Sequence, residues 1–308
     1  RLLLFPLVSV LFFTLIKSPD LDEIEFKLNA NFETTGGFGS NQVSTVFGAA
    51  VFILFLFVWY RWKFTPYSWL DIILLFTFAF RGLLSFSRGG MIGGALAILF
   101  VMLIQSREIT TFSIKMRPSK KKLMIYTPLI IVGLYLTFNI ADNLTEGMLR
   151  LRYQGETAGT LVGSKEKSLT TITSSRNDIF LEDLEVFAEN PVIGVGVGLS
   201  KNHRKYTSGQ LPHVEFSRLL SEHGILGLLY FLILLFQGFM IFRYRNKMFY
   251  SNVLLAFFVL ALYTSFHAAT RTYITPLLIG LSFIVISPKN KKKPFNEKNI
   301  IYRTRLSR

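Results

Sequence analysis

Three side chains set in polar breaks between apolar runs carry the chemistry this sequence offers: Arg88 in "SFSRGG", Arg176 in "SSRNDIF" and His213 in "LPHVEF". A guanidinium presents a rigid fork of donors suited to phosphate oxygens. At Arg176 the start of a helical pattern adds a partial positive charge. An imidazole titrates near neutrality, so His213 could take the proton from an attacking hydroxyl. Each has a plainer reading beside this one. Arg88 could snorkel at a helix end, Arg176 could be a solvated loop arginine, and His213 could be an ordinary interfacial histidine.

Other patterns exclude chemistry. His203, His213 and His223 recur every ten residues, which does not bring ligands to one helix face, so no metal site is expected. The chain has no cysteine, hence no disulfide and no thiolate nucleophile. Glu215, Arg218 and Glu222 share a helix face and read as an ion-pair ladder. The stretch "NPVIGVGVGL" could bring backbone N–H groups to a phosphate. It lacks both the G-x-G-x-x-G pattern and a Gly-Lys-Ser/Thr ending, so no nucleotide cofactor is expected. A loop-shaping turn and a structural hinge remain open for it.

The elements that must position these residues are membrane helices. Of the 308 residues 51% are hydrophobic, and they are gathered into runs such as "VFGAAVFILFLFVW". Crossing a hydrocarbon core about 30 Å thick takes roughly 20 mostly apolar residues in a helix. We read an all-α polytopic protein with spans near 2–16, 43–60, 67–85, 90–105, 123–140, 224–242, 250–268 and 271–287. Arg1 opens the chain within the end of a first span, and no cleavable signal is seen, so further spans are expected before it.

The net charge of +15 does not point to nucleic acid, because it alternates from loop to loop. The tail after Ser287 has eight Lys/Arg against one Glu, and Arg107 to Lys122 has six against one, while Asp142 to Glu222 has nine against eleven. That is the positive-inside pattern, with a cytoplasmic carboxy-terminus. The expected organisation is 1–141, five amino-terminal spans; 142–223, a large extracytoplasmic loop; 224–287, three spans; and 288–308, a basic cytoplasmic tail.

Within the loop, "TAGTLVGSKEKSLTTITSS" has a mobile composition, and a helix capped by Ser and stopped by Pro191 follows it. Phe180, Leu184 and Phe187 share one face of that helix, which is expected to lie on the membrane surface. Asp178, Glu182, Glu185 and Glu189 share another, expected to be solvated. Pro212 is expected in the first turn of a helix that runs on into the sixth span. Arg81, about two turns deeper in the membrane than Arg88, reads as a structural pairing residue.

Taken in order, "GGFGSNQVSTVFG", "SRGGMIGG", "SRNDIFLEDLEVFAENPVIGVGVG" and "PHVEFSRLLSEHGILGL" resemble the O-antigen ligase and polymerase superfamily of bacterial membrane glycosyltransferases. The resemblance implies an inverting, metal-independent transfer of glycan from undecaprenyl diphosphate on the outer face of the inner membrane. The acceptor would be another glycan or a lipid A core. It matches Arg88 and Arg176 to the family's diphosphate-binding arginines and His213 to its catalytic histidine. Asn41, Gly194, Gly196 and Glu222 are the supporting positions. Val214 stands where members often carry asparagine. A polysaccharide exporter or flippase and a non-catalytic membrane scaffold are the competing readings.

Overall fold

The structure, a computed structural model, describes residues 1–105, 120–164, 166–168, 173, 175–244, 251–267 and 272–284, without the side chains of 105, 120–127, 244 and 251. Most of the basic loop after residue 106, part of the Ser/Thr-rich stretch, Arg271 and the basic tail lie outside the described residues. All regular structure among the described residues is helical.

Helices α1 (Leu4–Lys17), α2 (Ser40–Tyr60), α3 (Ser68–Leu84), α4 (Arg88–Gln105) and α5 (Lys120–Leu144) come first. Then follow α6 (Met148–Tyr153), α7 (Ala158–Leu161), α8 (Arg176–Glu189), α9 (Ser200–His203) and α10 (Glu215–His223). The chain closes with α11 (Ile225–Tyr244), α12 (Ser251–Ser265) and α13 (Ile274–Ser282). Helices stand at each of the eight expected span positions. Two of them, Ser40–Tyr60 and Ile225–Arg243, are long and apolar enough to cross a membrane.

These two do opposite jobs. Helix α2 is apolar all round and enclosed by α1, α3, α4 and α13, with Phe47, Phe52 and Phe55 fully buried. It crosses α4 closely because both helices lack side chains at the contact. A Cβ on Gly48 would collide with the carbonyl of Gly90, and one on Gly90 with the backbone of Ser44. Helix α11 instead leaves Leu226, Leu229, Ile233 and Phe236 exposed. In water such a surface would associate; in hydrocarbon it is ordinary.

Arg81 is structural, and its partners are oxygens at the end of α1 and in the segment after it. One terminal nitrogen donates to the Thr14 carbonyl at 3.1 Å, the Ser18 hydroxyl at 2.6 Å and the Thr34 carbonyl at 2.9 Å. The last-turn carbonyl of α1 thereby finds a charged donor.

Three local expectations need correction. Helix α8 occupies the expected residues, yet Ser175 stands in a left-handed conformation with no side-chain cap. Its buried positions are Ile179, Glu182, Asp183 and Val186, spaced i, i+3, i+4, i+7, and they pack on α10; Phe180, Leu184 and Phe187 are only partly buried. Glu182 therefore leaves the solvated stripe: it accepts from the amides of Tyr206 at 3.0 Å and Thr207 at 3.2 Å. Finally, Pro212 and His213 lie outside any helix, before the extended Val214 that precedes α10, and Gly224, with φ +60° and ψ −136°, separates α10 from α11. A continuous helix is impossible there because the chain must admit Val192, whose carbonyl lies within 2.5 Å of where a Cβ on Gly224 would be.

Candidate functional site

The site is built around the turn between α3 and α4. Phe86 holds φ +56°, an unusual state for an aromatic residue and one that its surroundings must enforce. Its ring is fully buried and stacks on Phe26 at 5.6 Å. Held this way, the turn presents Phe86, Ser87 and Arg88 to three distant segments.

Arg88 donates to the carbonyl of Arg152 at 3.1 Å, and Arg152 Nε donates back to the carbonyl of Phe86 at 3.4 Å. The Ser87 hydroxyl donates to Asn41 Oδ1 at 2.7 Å, and Arg176 donates to the same oxygen at 3.4 Å. The Ser87 carbonyl accepts from Ser44 at 2.6 Å, tying the turn to α2. Arg88 and Arg176, 88 residues apart in sequence, thus meet through one turn and one amide.

His267, at the end of α12 and 3% exposed, completes the network with Nε2 at 3.3 Å from the Ser87 hydroxyl. The serine proton is committed to Asn41, so Nε2 must be the donor and the ring the Nε2–H tautomer. Nδ1 is left as a buried acceptor with no hydrogen-bond partner among the described residues. The ring lies against Gly89, where a Cβ would overlap it.

Electrostatics place the remaining groups. The Arg152 guanidinium is pulled down to about 10, first by burial and then by the charges of Arg88 and Arg176. Burial pushes the neighbouring Tyr153 hydroxyl up, above the usual tyrosine range, against the opposing pull of Arg88. The charges of Arg88 and Arg176 reach Tyr263, and those of Arg176, His213 and Arg88 reach His267. Three guanidiniums and two imidazoles therefore share one neighbourhood. Among the described residues, no three His, Asp or Glu side chains are grouped to hold a metal ion.

Of the residues singled out from the sequence, Arg88, Arg176, His213 and Asn41 are brought together. Gly194, Gly196 and Glu222 gather instead at the far end of α10. The amide of Val195 donates to the Ser221 carbonyl at 2.9 Å and that of Gly196 to the Glu222 carbonyl at 3.0 Å, so neither N–H is available to a phosphate. Glu222 is buried, ion-paired with Arg218 at 3.0 Å and bonded to Ser200 at 3.3 Å. These three hold the loop together, and the glycine turn is a clamp. The expected ladder is present, with Arg218 paired to Glu215 as well.

Sequence reasoning missed Arg152, His267 and Ser87. A histidine at the end of an apolar run was a usable signal for His267. Arg152 in "MLRLRY" shows nothing locally, since its importance comes from where α6 folds back.

A family model described as O-antigen ligase matches residues 72–232. The chain belongs to the O-antigen ligase family. It is a family of bacterial membrane proteins, which agrees with the bare apolar surface of α11. The match takes in Arg88, Arg152, Arg176, His213 and Glu222, while Asn41 and His267 lie outside it. No curated protein and no solved structure matches this member of the O-antigen ligase family.

Proposed function

We propose that the protein is a glycosyltransferase of the bacterial inner membrane that moves a glycan from undecaprenyl diphosphate to an acceptor hydroxyl on the outer face, without metal or nucleotide. The acceptor oxygen attacks the anomeric carbon and the bond from that carbon to the diphosphate oxygen breaks with its electron pair. The hydroxyl proton passes to His213, and the anomeric configuration inverts. Negative charge grows on the leaving diphosphate as this happens. Arg88, Arg152 and Arg176 are aimed to stabilise it, and fixed donors are most effective where charge develops.

The observation that carries this reading is the convergence of the three guanidiniums around the Phe86–Arg88 turn and the Asn41 amide bonded to it, with Arg152 depressed first by burial and then by the charges of the other two. Like charges are held together at a cost that a polyanion relieves. His213, ahead of α10, is the base of this step, and its charge reaches His267 in the same neighbourhood. The eight-span topology with residues 142–223 outside would put the site where lipid-linked glycan resides.

The deciding experiment uses purified protein, undecaprenyl-diphosphate oligosaccharide and candidate acceptors. Glycan transfer that continues in EDTA is expected. An inert preparation that still moves lipid-linked glycan across vesicles would favour an exporter. Surface glycan in a deletion strain then separates the two transferase types: single repeats on the acceptor mean a lost polymerase, and unattached long chains a lost ligase.

A further inference from the structure

The turn from Pro191 to Leu199 is given no part in this chemistry, yet it exposes several large apolar side chains. Val192, Ile193 and Val197 are 68%, 77% and 72% exposed. Gly194 and Gly196 between them and Gly198 just after all take positive φ, and no charged residue occurs from Pro191 to Ser200.

The turn is also fixed in place. The amide of Ile225 donates to the Pro191 carbonyl at 2.9 Å and the Val192 carbonyl at 3.3 Å. Ile225 is the first residue of α11, and Ile225, Leu226 and Leu229 are themselves exposed. The bare side chains therefore continue the exposed apolar surface of a helix built to cross a membrane, just past its end.

Apolar side chains rigidly displayed at that level are matched by lipid rather than water. We propose that the Pro191–Leu199 turn is an interfacial anchor whose Val192, Ile193 and Val197 insert among the headgroups and upper acyl chains of the bilayer around α11. The same turn is bonded to the Ser221 and Glu222 carbonyls of α10, so the anchor sets the depth of that helix and of His213 just before it. This uses the membrane setting of the family and does not depend on the glycan reading.

The chain has no cysteine, so single nitroxide labels can be placed cleanly. Ile193→Cys and Val197→Cys would be labelled in the full chain in phosphatidylethanolamine–phosphatidylglycerol nanodiscs. Leu226→Cys serves as the lipid reference and Glu185→Cys, on an exposed carboxylate, as the water reference. Collision with oxygen relative to a nickel chelate should be severalfold higher at 193 and 197 than at 185, approaching 226. Nickel access equal to that at 185 would overturn the proposal. So would shielding from both reagents, which means a protein partner or a second copy covers the turn. A lipid-like signal only after adding undecaprenyl diphosphate would assign the surface to the polyprenyl tail and overturn it too. Agreement between the two positions, with unfolding midpoints unchanged by labelling, guards against a local disturbance.

Discussion

Two regions of this protein hold arginines away from water in part or in full, and they do so in opposite ways. In the loop, Arg204 and Asp183 are both fully buried and paired at 2.8 Å, with Ser217 donating to the second carboxylate oxygen at 2.8 Å. Beside the Phe86–Arg88 turn, Arg88, Arg152 and Arg176 hold carbonyl and amide oxygens and feel one another's charge. The first arrangement answers its own charge and is a structural keystone. The second sets three like charges close enough to act on one another, an arrangement suited to the anion proposed above.

The contrast predicts that the turn region can lose function while keeping stability. His213→Ala should lower the single-turnover transfer rate roughly 100- to 10,000-fold, the usual worth of a positioned base, while binding of lipid-linked donor stays nearly intact. Rapid-quench kinetics beside donor-binding measurements would check this. A near-normal rate would remove His213 from the base role.

The loop should behave in reverse. Arg204→Met leaves the Asp183 carboxylate buried beside Ser217 without its cation, and breaking a buried pair this way costs about 3–5 kcal/mol. Thermal unfolding should show a lowered midpoint, with α8 and α10 released from each other. An unshifted midpoint would mean the pair is not the keystone described here.

How legible each region was in the sequence follows from the same physics. Helices α2 and α11 could be read because a long apolar run has few alternatives. Arg88 and Arg176 stood out as charges beside apolar or helix-starting sequence. The interior of the loop was misread, because Glu182 looked like part of a wet stripe and nothing set the neighbouring Asp183 apart. Burial of a carboxylate depends on a partner brought from elsewhere, here Arg204 and the amides of Tyr206 and Thr207, and no local pattern announces that. Arg152 was missed for the same reason.

Arg152→Met sharpens the comparison within the arginine group. Removing one of three like charges should leave the unfolding midpoint close to that of the parent. It should weaken binding of undecaprenyl diphosphate roughly 10- to 100-fold, the worth of a charged hydrogen bond of about 1.5–3 kcal/mol. A large stability loss with normal binding would make Arg152 another Arg204.

A smaller effect is expected at His267, which acts through Ser87 and Asn41 on Arg176. His267→Phe removes the donor to Ser87 and should weaken diphosphate binding about 2- to 10-fold, as for one neutral hydrogen bond. His267→Gln can restore the donor and recover most of the loss. In an Arg176→Ala background the His267 change should cost little, because its effect travels through that arginine. Additive losses would show instead that the ring merely packs on Gly89.

The smallest effect is a pH dependence, and its sign follows from Arg152. A cation held down to about 10 is fully charged at neutral pH and half discharged at pH 10. If only the charged form grips the diphosphate, affinity should fall about twofold between pH 8 and pH 10 and more steeply above. Tyr153 is pushed the other way and stays neutral through this window, so it adds no opposing charge. Binding of the anion should draw the proton back onto Arg152, so weakly buffered samples at pH 10 should show proton uptake as donor is added. Titrating undecaprenyl diphosphate against the parent and Arg152→Met across this range isolates the contribution. The parent should lose affinity with rising pH and the variant should show a flatter profile; equal slopes would mean that the charge sensed by the ligand resides on another group.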